Sequence, residues 1–260
     1  MEEHLHTRCR PSPTWIYRGL PNHCWALSTT LERVAKRYWM TSDERRDLES
    51  GLLRKFKRHY QQYSHSAPSP CHPVEWLSIM QHHGAPTRLM DWTYSPYVAL
   101  YFALDDSDGD ASVWAINQDV LITNLKNNKE LPSELRSVHQ MPNQRITSEA
   151  FNNIFCKGFR FVCPITPYEM NQRLTVQQGL FLCPGDVSAS FQENLAAAQS
   201  NTSIIKFVIP SDVEVRKEIL FMLQRMNMNA ATLFPGLDGF ARSLKTLSAN
   251  GKEFLATKEK

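Results

Sequence analysis

The sequence predicts a single α+β domain with a helical N-terminal part packed on a sheet. Three observations lead there. Apolar residues recur at helical spacing through most of the first hundred positions. Short alternating or apolar runs bounded by glycine and proline follow them. No repeat, low-complexity tract or clear linker divides the 260 residues. At 42% hydrophobic and 21% charged, the chain has the apolar content of a globular protein and too much of it for disorder.

Residues 1–14 read as an extended, polar lead. Trp15-Ile16-Tyr17-Arg18-Gly19 is a short β-type segment that a glycine ends, and Leu20-Pro21-Asn22 turns the chain. Leu31, Val34, Ala35 and Tyr38 fall at helical spacing. Thr41 to Glu44 is a capping box for a second helix, whose apolar face is Leu48, Leu52, Leu53, Phe56, Tyr60 and Tyr63. The opposite face carries Arg45, Arg54, Lys55, Lys57 and Arg58. It reads either as a solvated face or as a landing strip for nucleic acid or an acidic partner.

Pro73 suits the first turn of a helix over 74–81, which Gly84-Ala85-Pro86 breaks. Thr87 to Asp91 reads as extended. Ser95-Pro96 caps a helix over Tyr97 to Leu104, apolar almost all round and therefore buried. An acidic turn at 105–110 leads to a strand over 111–116. The region 118–153 is mixed, with short helices. Further strands fall at 159–165, around Gln177-Gln178-Gly179 within 173–183, and at 204–209. Helices are predicted at 191–198, at 211–226 with Val215, Ile219, Leu220, Leu223 and Met226 inward, and at 237–247 with Leu237, Phe240, Ala241, Leu244 and Leu247 at helical spacing. The domain thus runs over 15–250, and 251–260 is a polar C-terminal tail.

Several function classes are disfavoured. The opening MEEHLHTRCRPSP is too polar for a signal peptide, and no apolar run approaches the ~20 residues that span a membrane. The six cysteines (Cys9, Cys24, Cys71, Cys156, Cys163 and Cys183) include no CxxC pair, which suits reduced thiols in a cytoplasmic protein without membrane contact. His82 and His83 are the one local cluster of metal-ligand type, and adjacent side chains diverge, so no metal is expected. A net charge of +3 permits an anionic partner without demanding one. The phosphate loop GxxxxGK[ST], the dinucleotide turn GxGxxG, HExxH and GxSxG are all missing, which argues against kinase, dehydrogenase, zinc-protease and α/β-hydrolase chemistry.

Three constellations could carry chemistry. Arg18 at a strand end, flanked by Tyr17 and Gly19, can fork two hydrogen bonds to a phosphate or carboxylate while the backbone approaches closely. An internal ion pair, for example with Asp91, accounts for it equally well. The stretch from His82 to Asp91 packs His82, His83, Gly84, Thr87, Arg88 and Asp91 into ten residues, with Trp92, Thr93, Tyr94 and Ser95 directly after. Either histidine can bond a ribose hydroxyl or act as a base, Asp91 can orient a base or pair with Arg88 or Arg18, and Trp92 and Tyr94 can stack on a planar ring. The bland alternative is a polar network pinning a helix to the sheet. Gln177 and Gln178 beside Gly179 can grip a sugar or amide through paired donors and acceptors, but a glutamine cannot act as a base.

Taken together, these motifs resemble the FRG domain family. Tyr17-Arg18-Gly19 is similar to the (F/Y)RG element that names it. Gln81 to Thr93, with Ser95-Pro96 and Ala99 to Ala103, resembles its QHHGxPTRLLDWTxSPxxALYFA block. Arg173, Gln177, Gly179 and Phe181 resemble its RxxxQxGxF block, and Leu233 to Gly239 its closing FPxLxG stretch. The family resembles ADP-ribosyltransferases at a distance, which implies a mixed or antiparallel sheet with an ADP-ribosyltransferase-like core and NAD as substrate. By that resemblance Arg18 holds the NAD phosphates or positions the nicotinamide ribose. Thr87, Arg88, Thr93 and Ser95 shape the nicotinamide side. Gln177 stands where such transferases carry a catalytic glutamate, a departure that leaves the stabilising charge to Asp91 or to another carboxylate, with His82 or His83 as base. Arg18, His83, Asp91 and Gln177 are therefore the expected catalytic group. Tyr17, Arg18, Gly19, His82, Gly84, Thr87, Arg88, Trp92, Thr93 and Ser95 are the expected NAD-binding group.

The resemblance further implies a toxin-like effector in bacterial anti-phage defence or a toxin–antitoxin module, with a neutralising antitoxin or chaperone as partner. The acceptor would be nucleic acid, RNA included, or a protein, and the basic helix over 44–60 tilts the choice toward nucleic acid. The rival expectations are a non-catalytic nucleotide- or protein-binding module, and a nuclease or NAD glycohydrolase built on His82, His83 and Asp91.

Overall fold

A computed structural model describes residues 14–64, 72–136, 148–155, 157–197 and 204–249. Cys9, Cys71, Cys156, most of the N-terminal lead and the C-terminal tail lie outside them. Six strands occur among the described residues: β1 (Trp15–Leu20), β2 (Met90–Thr93), β3 (Ala111–Asn117), β4 (Val162–Ile165), β5 (Gly179–Pro184) and β6 (Ile204–Ile209). The helices of the first half are α1 (Thr30–Arg37), α2 (Ser42–Tyr60), α3 (Pro73–His82), α4 (Pro96–Leu104), α5 (Gln118–Asn127) and α6 (Ser133–Arg136). Those of the second half are α7 (Ser148–Phe155), α8 (Gln172–Val176), α9 (Phe191–Ala197), α10 (Val213–Arg225), α11 (Ala230–Leu233) and α12 (Leu237–Ala249).

The strands form one sheet in the order β4-β5-β2-β1-β3-β6, and every neighbouring pair is antiparallel. The sheet expected as mixed or antiparallel is therefore fully antiparallel. Strand alternation divides its side chains between two covered faces. Ile16, Met90, Trp92, Leu180 and Leu182 join Phe191 and Leu195 in one core cluster. Phe181, Cys163 and Ile165 join Leu77, Met80, Phe151 and Phe155 in another.

Helix α4 lies across β1 so closely that Gly19 has no room for a side chain. A Cβ there would run into the Ala99 carbonyl and sit 2.6 Å from the Ala103 nitrogen. The small residues of α4, Ala99 and Ala103, complete that contact and are fully buried. Ser95 caps the helix, accepting from the Val98 N–H at 3.4 Å, with Pro96 in the first turn. The capping box predicted for α2 is present, with Thr41 and Glu44 each accepting from the other's backbone N–H.

The structure corrects several expectations. Residues 173–176 are not a strand but the body of α8. Asn171 starts that helix by accepting from the Leu174 N–H at 2.8 Å, and Gln178 ends the turn that follows it at φ 48° before β5 begins. The strand expected at 159–165 begins only at Val162, and Tyr63 is 85% exposed beyond the end of α2. In α10 Leu223 is buried and Ile219 and Leu220 pack half-buried against the core as expected, while Val215 and Met226 are exposed. In α12 Leu237, Phe240 and Leu244 are exposed, Ala241 lies at the surface, and the side chain of Leu247 lies outside the described residues. Helical spacing marks a face, but not whether anything covers it.

Part of the basic face of α2 is used internally: Arg45 donates to the Ser188 carbonyl at 3.0 Å, and Lys57 sits over the Trp76 ring at 5.5 Å. Cys24, Cys163 and Cys183 are free thiols, and burial pushes the Cys163 thiol up to about 12. Among the described residues no helix is long and apolar enough to cross a membrane, and no three His, Cys, Asp or Glu side chains cluster to hold a metal.

Candidate functional site

A cleft of about 730 Å³ opens between the segment 17–36, the N-terminal part of α4, strand β2 and the turn after α8. The volume falls within the range of pockets that enclose a whole small ligand. Arg18 lines it from β1. Its Nη1 donates to the Asp91 carbonyl at 2.5 Å, and its buried Nε has no partner. Burial lowers its pKa, the Asp91 carboxylate works against that, and Arg33 adds to the lowering. Arg33, Lys36 and Arg173 also line the cleft, against the single carboxylate of Asp91. The lining is thus positively charged and suits an anion.

Asp91 is exposed, and its Oδ2 accepts from the Gln81 Nε2 at 3.1 Å. Gln177 is the C-cap of α8, and its position is overdetermined. Its N–H bonds the Arg173 carbonyl at 3.0 Å, its carbonyl accepts from Thr93 Oγ1 at 2.7 Å, and its Nε2 donates to the Leu233 carbonyl at 2.8 Å. None of these bonds uses the amide oxygen. A small side pocket of about 40 Å³ adjoins the cleft and shares Asp91, Arg173, Leu174 and Gln177 with it; His82 lines this pocket. Burial, then the charges of His83 and Arg173, lowers the His82 pKa, so the ring is neutral near pH 7 and can accept a proton.

The closing stretch reaches the same place. Leu233 supplies the acceptor for Gln177, and the Phe234 ring carries two guanidiniums near its centroid, Arg173 at 4.8 Å and Arg242 at 4.9 Å.

The family model of the FRG domain matches residues 13–112. The chain carries an FRG domain. No curated protein and no solved structure matches the chain. The FRG match contains β1, α1 to α4 and β2, hence Arg18, His82, Asp91 and Thr93, while Gln177 and Arg173 reach the cleft from beyond it.

Of the residues predicted from the sequence, the cleft and side pocket bring together Tyr17, Arg18, Gly19, His82, Asp91, Trp92, Thr93 and Gln177. Three of these have other duties. Gly19 is required by the approach of α4 to the FRG strand β1, not by a ligand. Trp92 is 2% exposed and belongs to the core, so its ring is not free to stack. Thr93 mainly fixes the turns, donating to Gln177 and accepting from the Ser95 N–H at 3.0 Å.

Arg88 is not in the cleft. It is buried and bidentate to Glu49, with Nε donating to Oε1 at 2.6 Å and Nη2 to Oε2, while Nη1 donates to the carbonyls of Phe155, Pro184 and Gly185. Thr87 is fully buried and links α1 to α3, its N–H donating to Thr30 Oγ1 at 2.9 Å and its hydroxyl to Gln81 Oε1 at 2.5 Å. Gly84, at φ 78°, turns the chain out of α3, and Ser95 serves as a cap. His82 and His83 are both exposed and pack edge-on at 5.0 Å between centroids, but only His82 lines a pocket, so of the two it is the one that faces the site. Tyr94 is exposed but does not line the cleft.

Sequence reasoning missed Trp25, Arg33 and Lys36. Their signal was present: Leu31 and Ala35 point α1 inward, which leaves Arg33 and Lys36 outward at helical spacing.

Proposed function

We propose that the chain is an ADP-ribosyltransferase that uses NAD as substrate and modifies a macromolecule. The observation that carries this reading is Arg18: a guanidinium drawn into a cation-lined cleft with one carbonyl partner and an orphaned buried Nε. A buried donor left unpaired costs stability, so its persistence points to a ligand that pairs it. A diphosphate meets that need through charge-assisted bonds, and the cleft volume suits a dinucleotide better than a free phosphate.

The residues fit the chemistry of glycosyl transfer from NAD. NAD supplies a glycosidic bond whose leaving group, nicotinamide, departs neutral with the bonding electron pair. Arg18, Arg33 and Lys36 hold the phosphates. Asp91 supplies the full negative charge that stabilises positive charge developing on the ribose, the part Gln177 cannot play. Gln177 offers its amide oxygen to a ribose hydroxyl. His82, neutral and lining the same side pocket as Asp91, takes the proton of the incoming acceptor, whose nucleophilic atom forms the new bond to the ribose. The toxin-like role, the antitoxin or chaperone partner and the cytoplasmic setting are proposals that rest on the family resemblance.

One observation favours a second reading, a binding module without turnover: the Gln177 amide nitrogen is already committed to Leu233. Labelled NAD incubated with the protein and with RNA, DNA or lysate protein separates the two. Transfer of label that Arg18→Gln and Asp91→Asn abolish supports the transferase. Saturable NAD binding with no transfer and no nicotinamide release supports the binding module, and nicotinamide release without labelling of an acceptor supports a glycohydrolase. Absence of NAD binding overturns all three.

A further inference from the structure

The cleft mouth continues outward along a surface that the fold does not use. Helix α1 buries Leu31 and Ala35 and turns Arg33, Lys36 and Arg37 outward, at positions three and four apart. Its end carries Tyr38 at 61% exposure and Trp39 at 90%, and Trp25 on the cleft wall is 55% exposed. Large aromatic rings are ordinarily buried, and three exposed on one stretch of 15 residues need a reason.

Trp39 is the most informative. It stands at φ 50°, the left-handed conformation that helix ends usually assign to glycine or asparagine. Backbone bonds alone hold the turn: the Trp39 N–H reaches the Lys36 carbonyl at 3.2 Å and the Met40 N–H reaches the Ala35 carbonyl at 3.0 Å. The indole gains no burial for the backbone strain it carries.

The charge on α1 and the segment before it is mostly of one sign. Between residues 21 and 40 the only carboxylate is Glu32, which is buried and accepts from the Phe191 N–H at 3.0 Å as well as pairing with Lys36. The next carboxylates, Asp43 and Glu44, open α2, where Asp43 pairs with Arg46 and Glu44 accepts from Thr41. Arg33 donates to the Ser28 carbonyl at 2.7 Å and keeps the rest of its donors, while Arg37 is exposed.

We infer that this rim binds single-stranded nucleic acid, with bases stacked on Trp39, Tyr38 and Trp25 and phosphates on Arg33, Lys36 and Arg37. Interleaved aromatic and cationic side chains are the chemistry that unpaired bases and their backbone require, whereas a duplex hides its base faces. A membrane surface is the less fitting occupant, because the rim runs into the cleft, where Trp25, Arg33 and Lys36 form part of the wall. A strand lying on it is led toward Arg18 and Asp91. That the bound strand is the acceptor rests on the transferase reading; the binding itself does not.

Fluorescence anisotropy with a labelled single-stranded RNA, without NAD, tests the inference on the full chain. The expected result is salt-sensitive binding, tighter for the single strand than for its duplex. It should weaken about tenfold on Trp39→Ala and on Trp25→Ala, and less on Arg37→Gln. Trp39→Asn should lose binding equally while raising Tm, since asparagine relieves the left-handed strain, and this separates a binding role from a folding one. NAD affinity should be unchanged by Trp39→Ala. If that NAD affinity holds while the RNA fails to bind, the inference falls and the transferase reading stands. Equal affinity for duplex, indifference to Trp39, or Trp39-dependent binding to phosphatidylserine vesicles in place of RNA would also overturn it.

Discussion

Arg88 and Arg18 are both guanidiniums taken at least partly out of water, and the surroundings treat them oppositely. Arg88 spends its three nitrogens on Glu49 and on three carbonyls from α7 and the end of β5. Arg18 spends Nη1 on one carbonyl and leaves Nε buried and unpaired. A saturated buried charge ties elements together and has nothing left to offer a ligand. An unsaturated one lowers stability until something completes it; Arg45 and Arg136 also carry a buried unpaired Nε, and what sets Arg18 apart is its place on the wall of the cleft. The two arginines therefore separate the frame of the fold from its cleft.

The largest expected effect lies in the frame. Arg88→Met leaves the Glu49 carboxylate buried without its partner and should cost about 3–5 kcal/mol, read as a lower Tm or denaturant midpoint. The double variant Arg88→Met with Glu49→Leu should recover most of that loss, because an apolar pair replaces the ion pair without leaving a charge behind. If Arg88→Met folded with full stability and lost only NAD binding, the comparison would be inverted. Next in size is Arg18→Gln. It should leave Tm unchanged or raise it slightly while lowering transferase turnover by about 10²–10³-fold, the scale for removing one preorganised donor to developing or transferred charge. A fall in Tm matching that of Arg88→Met would make Arg18 a second structural tie.

Sequence reading could not separate these two arginines, and the reason is physical. Both stand in short motifs that mix polar and apolar residues, and the feature that distinguishes them is a partner on a remote element. Glu49 comes from α2, whose sequence gives no sign that this carboxylate pairs with Arg88. The carbonyls of Pro184 and Gly185 carry no side-chain signal at all. Local features were far more legible: the capping box at Thr41, the Ser95-Pro96 start of α4, the strand from Trp15 and the final strand at 204–209 all follow from propensity and spacing over a few residues. Gln177 shows the middle case. The glutamine was visible, but the helix before it was not, because Asn171 had to be recognised as a cap for a helix of only five residues.

Gly19→Ala probes the join between frame and cleft. The new Cβ meets the backbone of α4 at Ala99 and Ala103, which cannot yield as a flexible side chain would. Overpacking of this kind costs about 1–3 kcal/mol, and it should push α4 away from β1 and disturb Arg18 beside it. The expected result is a moderate loss of Tm together with a weakened NAD affinity. A loss of affinity with Tm untouched would instead make Gly19 a residue that a ligand approaches, as its place in the sequence first suggested.

His82 gives the smallest and most specific effect. Partial burial, His83 and Arg173 all lower its pKa. Above the ordinary histidine range both folded and unfolded chains hold the ring neutral, and it contributes nothing to the pH dependence of stability. As pH falls through that range the unfolded chain takes up a proton that the folded chain resists, so stability declines until the lowered folded pKa is reached. On the transferase reading the sign for activity is the reverse of a handicap: His82 as base would stay unprotonated further into the acid range, and the acid limb of turnover against pH should lie below that of a free imidazole. Arg173→Gln removes one of the charges that lower the pKa, so it should move that limb upward, toward neutral pH. His82→Gln should abolish it, and His83→Gln should shift it only as far as the loss of one neighbouring charge allows. A limb that moves with His83 and ignores His82 would return the role of base to the outer ring, and would mean that the acceptor enters from outside the side pocket.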